Sequence, residues 1–521
     1  MDGAARTRPS RSLFVVGWEH GRPSCAGMLR TLGIGVAAVV GAVSSESLSL
    51  AVHVPPRHTS LARPSVVCAD PADCTPELQS ALDRGGTIVL SCGHAADPWI
   101  TRPLNVTQNN TWIGIAAGCS LVAKRHEFHG VSDALITVRE LSPGLRPEDP
   151  GRRPVRNVSI VGIGGQATLR MWRGDYNDSS SYTHAEHRHG IAIRNAMDVT
   201  VSDLNVTLTG GDGLYVAGLV GGHFKRVHCT ANYRQGSSVI DACHVLYEDC
   251  SFSETSGTPP MSGVDIEPNA ASQSFVNLTF RRCVSADNAG AGFLLDLYHL
   301  TAQSQPLGVR FEDCVVRNVG LQSEWHGNSV PGNGLVVSSS SQNQSKTTAA
   351  GSIVWQGGFI TDTAWEGVHI ARPESGALIS IENVHLARTA LHMSSSCTFN
   401  HAADCVQPGL KGAGVGARVF ASKGTPNPIF VLANAFASAG AVVNPEVDGV
   451  LLRNVVISDS LPRPFAFVAG PSRNVLSTNL TVENSRANGC GSNIVVPFGK
   501  PAHFAAYGGN VNLSVSRCVL T

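Results

Sequence analysis

Charged residues are scarce in this chain of 521 residues: Asp, Glu, Lys and Arg make up only 15%, and 39 basic residues balance 39 acidic ones. A nucleic-acid-binding protein usually carries an excess of basic residues, and the chain as a whole has none. Hydrophobic residues make up 42%, which excludes a chain that is disordered by composition. The composition therefore predicts a folded protein with a large core and no nucleic-acid partner.

Several familiar motifs are also missing. The sequence has no P-loop, no dinucleotide-binding fingerprint, no HExxH zinc motif and no serine nucleophile elbow. The central region has no segment with the periodicity of a long amphipathic helix. Glycine is abundant instead, with 54 residues, and this suits a fold with many tight turns.

One apolar run, LGIGVAAVVGAV at 32–43, follows Arg30 and precedes small residues. It is too short for a membrane span, which needs about 20 residues, but it has the length of a signal-peptide core. We therefore predict a targeting segment over 1–48, with Met28 as a candidate functional start, and a linker over 49–65. The mature protein is expected to be secreted or at the cell surface, without a stable membrane span. A signal anchor is the alternative.

Two further features fit secretion. N-x-[ST] sequons suggest a glycoprotein, although Asn, Ser and Thr are also enriched in turn-rich repeats; they begin at Asn105, Asn109, Asn157, Asn177, Asn205, Asn277, Asn343, Asn479 and Asn512. Eight of the 14 cysteines lie in apparent loops or terminal regions and could pair in an oxidising compartment. The candidate pairs are Cys68/Cys74, Cys92/Cys119, Cys397/Cys405 and Cys490/Cys518.

A repeat organises the centre of the chain. Segments such as DGLYVAG (212–218) and SGVDIEP (262–268) share a polar or small residue, a Gly and a short β-rich run. The repeat glycines are Gly190, Gly213, Gly236, Gly263, Gly292, Gly334 and Gly367. A second type of strand, such as FVNLTFRRC (275–283), alternates apolar and polar residues between them. Coils of 20-odd residues with two or three short strands predict a parallel β-helix.

Four cysteines, Cys229, Cys250, Cys283 and Cys314, end strands of the second type. We expect them to stack inside the solenoid as a ladder of free thiols, because buried Cys behaves as a small hydrophobe. A metal site is not expected there, since the coil period and not a CxxC spacing sets their separation.

The segment CTPELQSALDRGGTIVLSCG (74–93) predicts a capping helix with Thr75 at the N-cap, Pro76 at the first position and an apolar stripe from Leu78 to Leu82. A helix of this kind followed by GGTIVL resembles the pectin-lyase-like superfamily, over roughly residues 66–521. The resemblance implies an all-β, single-stranded right-handed parallel β-helix (a solenoid) with a short N-terminal capping helix. The fold alone does not name the reaction, since it hosts lyases, hydrolases, epimerases, tailspikes and adhesins.

The boundaries follow from the repeat. We predict an N-terminal cap and first coils over 66–150, central coils carrying the site over 151–393, an insertion loop over 394–416, and the last coils with a C-terminal cap over 417–521.

The run after each repeat Gly also orients its carboxylates. Its first and third residues, such as Val264 and Ile266, are apolar and should point inward, so that the second and fourth point outward. Asp265 and Glu267 then lie on one outer face, with about 6.5–7 Å between their Cα atoms. Asp296 should lie beside Glu267 on the next coil, about 5 Å away. Because crowded carboxylates repel, at least one of their pKa values should rise.

Three explanations fit such an acidic patch: a catalytic pair for glycoside hydrolysis, a Ca²⁺ site, or a solvated face with Arg partners. We favour catalysis, with Asp265 and Glu267 as acid and base (or nucleophile) and Asp296 tuning their pKa values. No cofactor is required by this reaction.

Other polar and aromatic residues could bind substrate on the same face. The long segment 171–190 is rich in Trp, Tyr, Arg, Asp and His, and long loops on rigid scaffolds often carry binding groups. Its Trp172, Tyr176 and Tyr182 could stack on sugar rings. The predicted substrate-binding residues are Asp212, Tyr215, Tyr233, Arg234, Asp241, Trp172, Tyr176, Arg188, His189 and His299.

Comparison with enzymes of the superfamily leaves the reaction open. Polygalacturonase-like hydrolases usually have adjacent Asp residues, whereas Asp212 is followed here by Gly213. Polysaccharide lyases of this fold use Ca²⁺ with an Arg or Lys base, for which Arg234 would be suitable. We expect a secreted, monomeric enzyme that cleaves a polysaccharide or glycan, with hydrolysis favoured. The alternatives are a Ca²⁺-dependent lyase and a non-catalytic carbohydrate-binding or cell-surface β-helix.

Overall fold

The chain winds into a solenoid whose central coils each contribute three short strands. The computed structural model describes residues 66–93, 98–139, 153–321, 332–338, 349–371, 377–389 and Leu391. For several further short strands, it describes only the backbone. Two helices precede the central coils: α1 (Thr75–Arg84) and the short α2 (Arg173–Tyr176).

The strands with described side chains are listed here in chain order. They are Thr87–Leu90, Trp99–Thr101, Leu104–Val106, Thr111–Ala116, Ser120–Ala123, Ile136–Val138, Val155–Ile163, Ala167–Arg170, Ile191–Thr207, Leu214–Thr230, Ser237–Glu248, Ser251–Ser253, Val264–Ile266, Phe275–Arg281, Val284–Ala286, Phe293–Asp296, Leu307–Glu312, Val315–Val319, Leu335–Ser338, Gly351–Gln356, Phe359–Thr363, Val368–Ala371, Ala377–Glu382 and His385–Ala387. The backbone-only strands are Trp18–Glu19, Arg22–Pro23, Ala417–Phe420, Phe430–Ala433, Phe436–Ala437, Val442–Val443, Val450–Arg453, Val456–Ser458, Val475–Thr478, Thr481–Glu483, Arg486–Ala487, Ser514–Ser516 and Val519–Leu520.

Equivalent strands of successive coils pair in parallel. Ser237 is the register partner of Val264, Val264 of Phe293, and Phe293 of Leu335. The strands that follow the repeat glycines thus form one continuous sheet along the solenoid, which we call the groove sheet. The predicted all-β parallel β-helix with a short N-terminal helix is confirmed.

The repeat glycines are required by the close stacking of the coils. A Cβ atom on Gly236 would lie 2.6 Å from the carbonyl oxygen of Gly263, and one on Gly334 would lie 2.4 Å from that of Gly367. Real Cβ atoms essentially never come closer than 3.0 Å to another heavy atom. Any side chain here would therefore push successive coils apart, which explains why Gly marks each coil.

The apolar positions of the groove sheet face the core as predicted. Leu214, Val264, Phe293 and Leu335 are fully buried. Behind them, one aromatic side chain per coil stacks along the axis with centroid separations of 4.4, 4.6, 5.3 and 4.9 Å; the stack is Phe224, Tyr247, Phe280, Phe311 and Trp355. Large aromatic side chains bury much apolar area, so this stack contributes strongly to the cohesion of the coils.

The predicted thiol ladder has three members and not four. Cys250, Cys283 and Cys314 are buried free thiols that interact along the axis. Cys229 is also a buried free thiol, but its register partner in the next coil is Phe252. It therefore occupies a different column, because it lies one strand further along its coil than the other three.

Helix α1 covers the N-terminal end of the solenoid. Its Leu78, Ala81 and Leu82 are buried, which confirms the predicted apolar stripe. The N-cap is Cys74 and not Thr75, because Thr75 already has helical geometry and its Oγ1 donates to Asp73. Such a cap is needed because an open solenoid end would leave strand edges unpaired.

The disulfides Cys68–Cys74 and Cys92–Cys119 are present as predicted. The candidate pairs Cys397/Cys405 and Cys490/Cys518, the insertion loop 394–416 and the targeting segment 1–48 lie outside the residues with described side chains. The domain boundaries therefore stay predictions. Among the described residues, no helix is long and apolar enough to cross a bilayer.

Candidate functional site

A groove of about 420 Å³ opens on the outer face of the groove sheet. Its wall is formed by four successive coils and by the segment before Gly263. The lining residues are Arg234, Pro259, Pro260, Ser262, Asp265, Glu267, Ala291, Leu294, Asp296, Val336, Ser338 and His369. The structure thus brings Asp265, Glu267 and Asp296 together in one cavity.

Strand alternation explains why these acids meet. Asp265 lies between the inward-facing Val264 and Ile266, and its register partner on the next coil is Leu294. Asp296 lies two residues after Leu294, so that it faces the same way. Neighbouring parallel strands are about 4.8 Å apart, which places carboxyl groups of two coils along one groove.

Asp265 is more enclosed than its outward orientation suggests, with only 1% of its surface exposed. Gln235 Nε2 donates a hydrogen bond of 2.9 Å to Asp265 Oδ2. Burial, together with the negative charge of Glu267, raises the pKa of Asp265 well above its usual range, although Arg234 opposes this. Asp265 thus forms the floor of the groove.

Asp296 and Glu267 are more accessible than Asp265 and lie in different electrostatic surroundings. Burial and the nearby charge of Glu267 raise the pKa of Asp296 to about 6, although the backbone N–H of Tyr298 favours the ionised form. Glu267 instead forms an ion pair with Arg234, with 3.3 Å between Oε2 and Nη2. The expected rise in a carboxyl pKa is therefore found for Asp265 and Asp296.

Arg234 is the cation at the centre of this acidic cluster. Its side chain is only 13% exposed, and its Nε also lies 3.5 Å from Glu186 Oε2. Burial works against its charge, but the surrounding carboxylates, led by Asp212 and Asp265, outweigh burial and raise the pKa of Arg234. The guanidinium group therefore holds several acids close to one another.

The residues that immediately precede repeat glycines form a buried polar row at the start of the groove-sheet strands. It includes His189, Asp212, Gln235, Ser262, Asn333 and Glu366, all with no exposed surface. The backbone N–H of Asp212 donates to His189 Nδ1 (3.1 Å), and that of Gln235 to Asp212 Oδ1 (3.2 Å). This row links successive coils beside the outward-facing residues of the groove sheet.

Protonation within the row follows from burial. Burial raises the pKa of Asp212 to about 6, although Arg234 opposes the rise. Burial, with a further contribution from Arg194, lowers the pKa of His189 well below its usual value. Because His189 Nδ1 accepts a hydrogen bond, the ring is neutral, and its 3.3 Å contact with Asp212 Oδ2 is not an ion pair.

Tyr215 lies on the outer face of the groove sheet two coils before Asp265, through the register partner Ser238. Its ring stacks on His189 at 4.7 Å, and the guanidinium carbon of Arg194 lies 4.4 Å from its centroid. These contacts make Tyr215 part of the surface beside the groove and not of its lining.

Most candidates from segment 171–190 turn away from the groove. Tyr176 and Tyr182 are buried and pack edge to face at 5.2 Å, so neither can stack on a sugar, contrary to the prediction. Trp172 donates to the carbonyl of Ala123. The guanidinium groups of Arg125 and Arg170 cover its ring, so Trp172 also offers no open face for a sugar.

Arg188 also has a structural role, contrary to the prediction that it binds substrate. It is fully buried, and its guanidinium donates to the backbone carbonyls of Phe128, His129 and Thr183. It therefore ties the segment to an earlier coil.

Three further candidates do not line the groove. Asp241 Oδ1 accepts hydrogen bonds from the backbone N–H and the hydroxyl of Ser274. Tyr233 lies against Gly257. His299 packs its ring on Tyr298 at 3.9 Å, just beyond the strand that carries Asp296.

The sequence prediction of the site omitted Gln235 and His369. His369 follows Gly367 by two residues, as Asp265 follows Gly263, so both lie on the outer face. His369 Nδ1 lies 3.5 Å from Oε2 of the buried Glu366. Gln235 stands before Gly236, where the repeat alignment repeatedly shows a polar residue. The residue types at these two repeat positions were thus the signal for the omitted groups.

A Ca²⁺ site was one of the three explanations for the acidic patch. Ca²⁺ takes six to eight oxygen ligands around one point. Among the residues that the structure describes, no group of three or more His, Cys, Asp or Glu side chains is placed to hold a metal ion. Arg234 and Gln235 instead occupy the positions beside Glu267 and Asp265.

Residues 170–363 match the family model described as the right-handed beta helix region. The tailspike protein of E. coli bacteriophage HK620, solved with a pentasaccharide, is similar in structure with a TM-score of 0.51 and 11% identity, over 86% of this chain and 76% of the tailspike. No curated protein matches the chain significantly in sequence.

Two further solved structures have lower TM-scores. The mannuronan C-5 epimerase AlgE4 A-module of Azotobacter vinelandii has a TM-score of 0.41 and 11% identity, over 88% of this chain and 96% of the module. The surface adhesin PfbA of Streptococcus pneumoniae has a TM-score of 0.46 and 12% identity, over 79% of this chain and 92% of the adhesin. At such identities the likeness concerns the fold alone. The chain thus has the right-handed parallel β-helix fold, which the family model matches over its central coils.

Proposed function

We propose that the chain is an enzyme that cleaves a polysaccharide or glycan by glycoside hydrolysis in the groove. The observation that carries this proposal is the contrast between two carboxyl groups of neighbouring coils. Asp296 has a pKa raised to about 6, and Glu267 is paired with Arg234. Glycoside hydrolysis needs one protonated and one ionised carboxyl group beside the scissile bond.

These surroundings support a revised division of roles. Asp296 is the general acid, and Glu267 is the base or nucleophile. Asp265, which the sequence suggested as a member of the pair, is too enclosed to reach a glycosidic oxygen easily. Its role is structural: it forms the floor of the groove, and Gln235 fixes its orientation.

Each cleavage moves one proton from Asp296 and consumes one water. Asp296 gives its proton to the glycosidic oxygen while the bond from that oxygen to the anomeric carbon breaks. Glu267 either takes a proton from the attacking water or attacks the anomeric carbon itself, in which case water later releases the sugar. One water is consumed, and one new reducing end forms for each bond cleaved.

A β-eliminating lyase is the second candidate, because His369 and Arg234 line the same groove. In that reaction a base removes the proton next to a uronate carboxylate, and a cation neutralises the carboxylate. Arg234 is already engaged by Glu267 and Glu186, which favours hydrolysis.

A polysaccharide panel tests the proposal, with new reducing ends and ultraviolet absorbance read together. We expect reducing ends without the absorbance of an unsaturated uronate. Asp296→Asn and Glu267→Gln should each lower kcat about 10²–10⁴-fold, the range for loss of a general acid or base. The matched controls Asp313→Asn and Glu254→Gln change exposed acids away from the groove and should keep full activity.

Each alternative has its own result. Absorbance that rises with reducing ends identifies a lyase. Binding of a glycan without cleavage identifies a binding protein. Unchanged kcat in both groove variants contradicts the assignment of Asp296 and Glu267.

We also propose that the protein is secreted and monomeric. The disulfides Cys68–Cys74 and Cys92–Cys119 are typical of an oxidising compartment. Sequon residues Asn109, Asn157 and Asn277 are exposed and could accept glycans. Expression through a secretory pathway should yield a monomer by light scattering, with a mass that falls on glycosidase treatment. Retention of the protein in the cell would contradict this.

A further inference from the structure

We infer that the groove binds glycans whose sugar residues carry no carboxylate or sulfate, and that it disfavours polyuronates. This inference rests on the proposed function and names the class of substrate. Three carboxyl groups, Asp265, Glu267 and Asp296, line the groove. Arg234 is the only Lys or Arg among the described residues of its lining.

The charge of Arg234 is not available to an anionic substrate. Its Nη2 lies 3.3 Å from Glu267, and its Nε lies 3.5 Å from Glu186. At pH 7, a sugar carboxylate in the groove would therefore meet the charges of Glu267 and of the ionised Asp296 without a cation of its own. Such like-charge contacts are strongly unfavourable in a partly enclosed site.

Another arginine on this face is too distant to compensate. Arg194 lies over the ring of Tyr215, two coils before Asp265. Two coils correspond to roughly 10 Å along the solenoid axis. Arg194 could attract an anionic group beyond the groove, but not one placed over the acids.

The groove offers contacts suited to uncharged sugars. Ser338 lines the groove beside the acids, and its hydroxyl can bind a sugar hydroxyl. At the end of the strand that carries Asp296, Tyr298 is 40% exposed, and its backbone N–H contacts the Asp296 carboxylate. The exposed part of this ring, two residues beyond Asp296, gives an apolar surface for the C–H face of a pyranose.

Matched polymers test the charge requirement. Polygalacturonate, alginate and hyaluronan are each compared with their carboxyl-reduced forms, which keep the linkage and lose the charge. Binding to the full-length protein is measured by calorimetry at pH 7 in 20 mM and 500 mM salt. We expect at least one reduced polymer to bind about tenfold or more tightly than its parent, with a difference that shrinks at high salt.

Two kinds of variant distinguish the effect of charge from that of ring stacking. Glu267→Gln should reduce the difference in affinity between the parent polymer and its carboxyl-reduced form. Tyr298→Ala should weaken binding of the reduced polymer about five- to tenfold, whereas Tyr298→Phe should keep it. The matched control is Phe359→Ala, which removes an exposed aromatic ring that also contacts a His but lies on another sheet.

The outcomes distinguish the two proposals. A uronate polymer that binds as tightly as its reduced form, or more tightly, overturns the inference, and its cleavage without unsaturated products leaves hydrolysis intact. A reduced polymer that binds preferentially but is never cleaved supports the inference and overturns the hydrolase. Failure of every polymer to bind overturns the inference.

Discussion

Gln235 Nε2 lies 2.9 Å from Asp265 Oδ2, and this hydrogen bond joins the buried polar row of one coil to the floor of the groove on the next. A similar relation holds two coils earlier, where His189 stacks on Tyr215. The row is thus a buried support for the outer face. Forming this row removes several polar groups from water, which costs free energy. The same burial raises the pKa of Asp212.

If Asp296 is the general acid, the rate should depend on its protonation. Its raised pKa of about 6 keeps the proton on Asp296 below that pH and removes it above. We expect kcat to fall about tenfold for each pH unit above about 6. Circular dichroism from pH 5 to 8 should show that the protein remains folded throughout. A rate that rises between pH 6 and 8 would instead favour a base such as His369.

Removal of the charge of Arg234 should destabilise the fold. Arg234→Gln leaves Asp265 and Glu267 without their cation in a largely buried cluster. We expect a loss of about 3–5 kcal/mol in the free energy of unfolding at pH 8, measured by urea denaturation. The loss should be smaller at pH 5, because carboxyl groups that lack the cation bind protons more readily.

The control for this variant is Arg388→Gln. Arg388 pairs with Asp362, but its side chain is 64% exposed, and such surface pairs contribute about 0–1 kcal/mol. If both variants have the same small effect, Arg234 does not hold the acidic cluster together.

Asp212→Asn should make stability less dependent on pH. Burial raises the pKa of Asp212 above its ordinary value to about 6, so the folded state binds the proton more tightly than the unfolded state. This group therefore stabilises the fold below about pH 4, and the contribution is lost as pH rises through 6. Asn removes this ionisation cost, so the variant should be about 2–3 kcal/mol more stable than the wild type at pH 8 and equal at pH 4.

Urea unfolding at pH 4, 6 and 8 measures this effect. Asp313→Asn, at an exposed turn, is the control and should follow the wild-type curve. An Asp212→Asn variant that is less stable than the wild type at pH 8 would show that the charge of Asp212 is favourable there.

Metal removal should have no effect on this protein. Arg234 engages Glu267 and Gln235 engages Asp265, and no metal-binding group of three is found in the part of the chain that the structure describes. We expect EDTA to leave Tm and glycan binding unchanged, and added Ca²⁺ to leave them unchanged as well. A rise in Tm with Ca²⁺ would show that the acids rearrange around the ion.

The fold could be predicted because short, local sequence patterns define the repeat. Each repeat Gly from Gly190 to Gly334 stands where the next coil comes within 3 Å of a Cβ position, and each strand alternates inward and outward residues. The same alternation placed Asp265, Glu267 and Asp296 on one face. These features depend on the coil period and the strand geometry, which neighbouring residues determine.

Burial and partners in the long segment before Gly190 could not be predicted in this way. Arg188 looked like a substrate-binding cation, but its partners are carbonyls about 60 residues earlier in the chain. Tyr176 and Tyr182 likewise pack against each other and not against solvent. The composition of a loop does not reveal whether it folds back onto the solenoid.

The sequence by itself determined the solenoid, its inward-facing apolar columns and the outward direction of the three acids, because periodicity and alternation act over a few residues. Only the tertiary structure decided that Asp265 is enclosed, that Arg234 is shared by Glu267 and Glu186, and that Gln235 and His369 belong to the site. These properties arise from contacts between coils, and the electrostatics of a carboxyl group depend on what surrounds it in space.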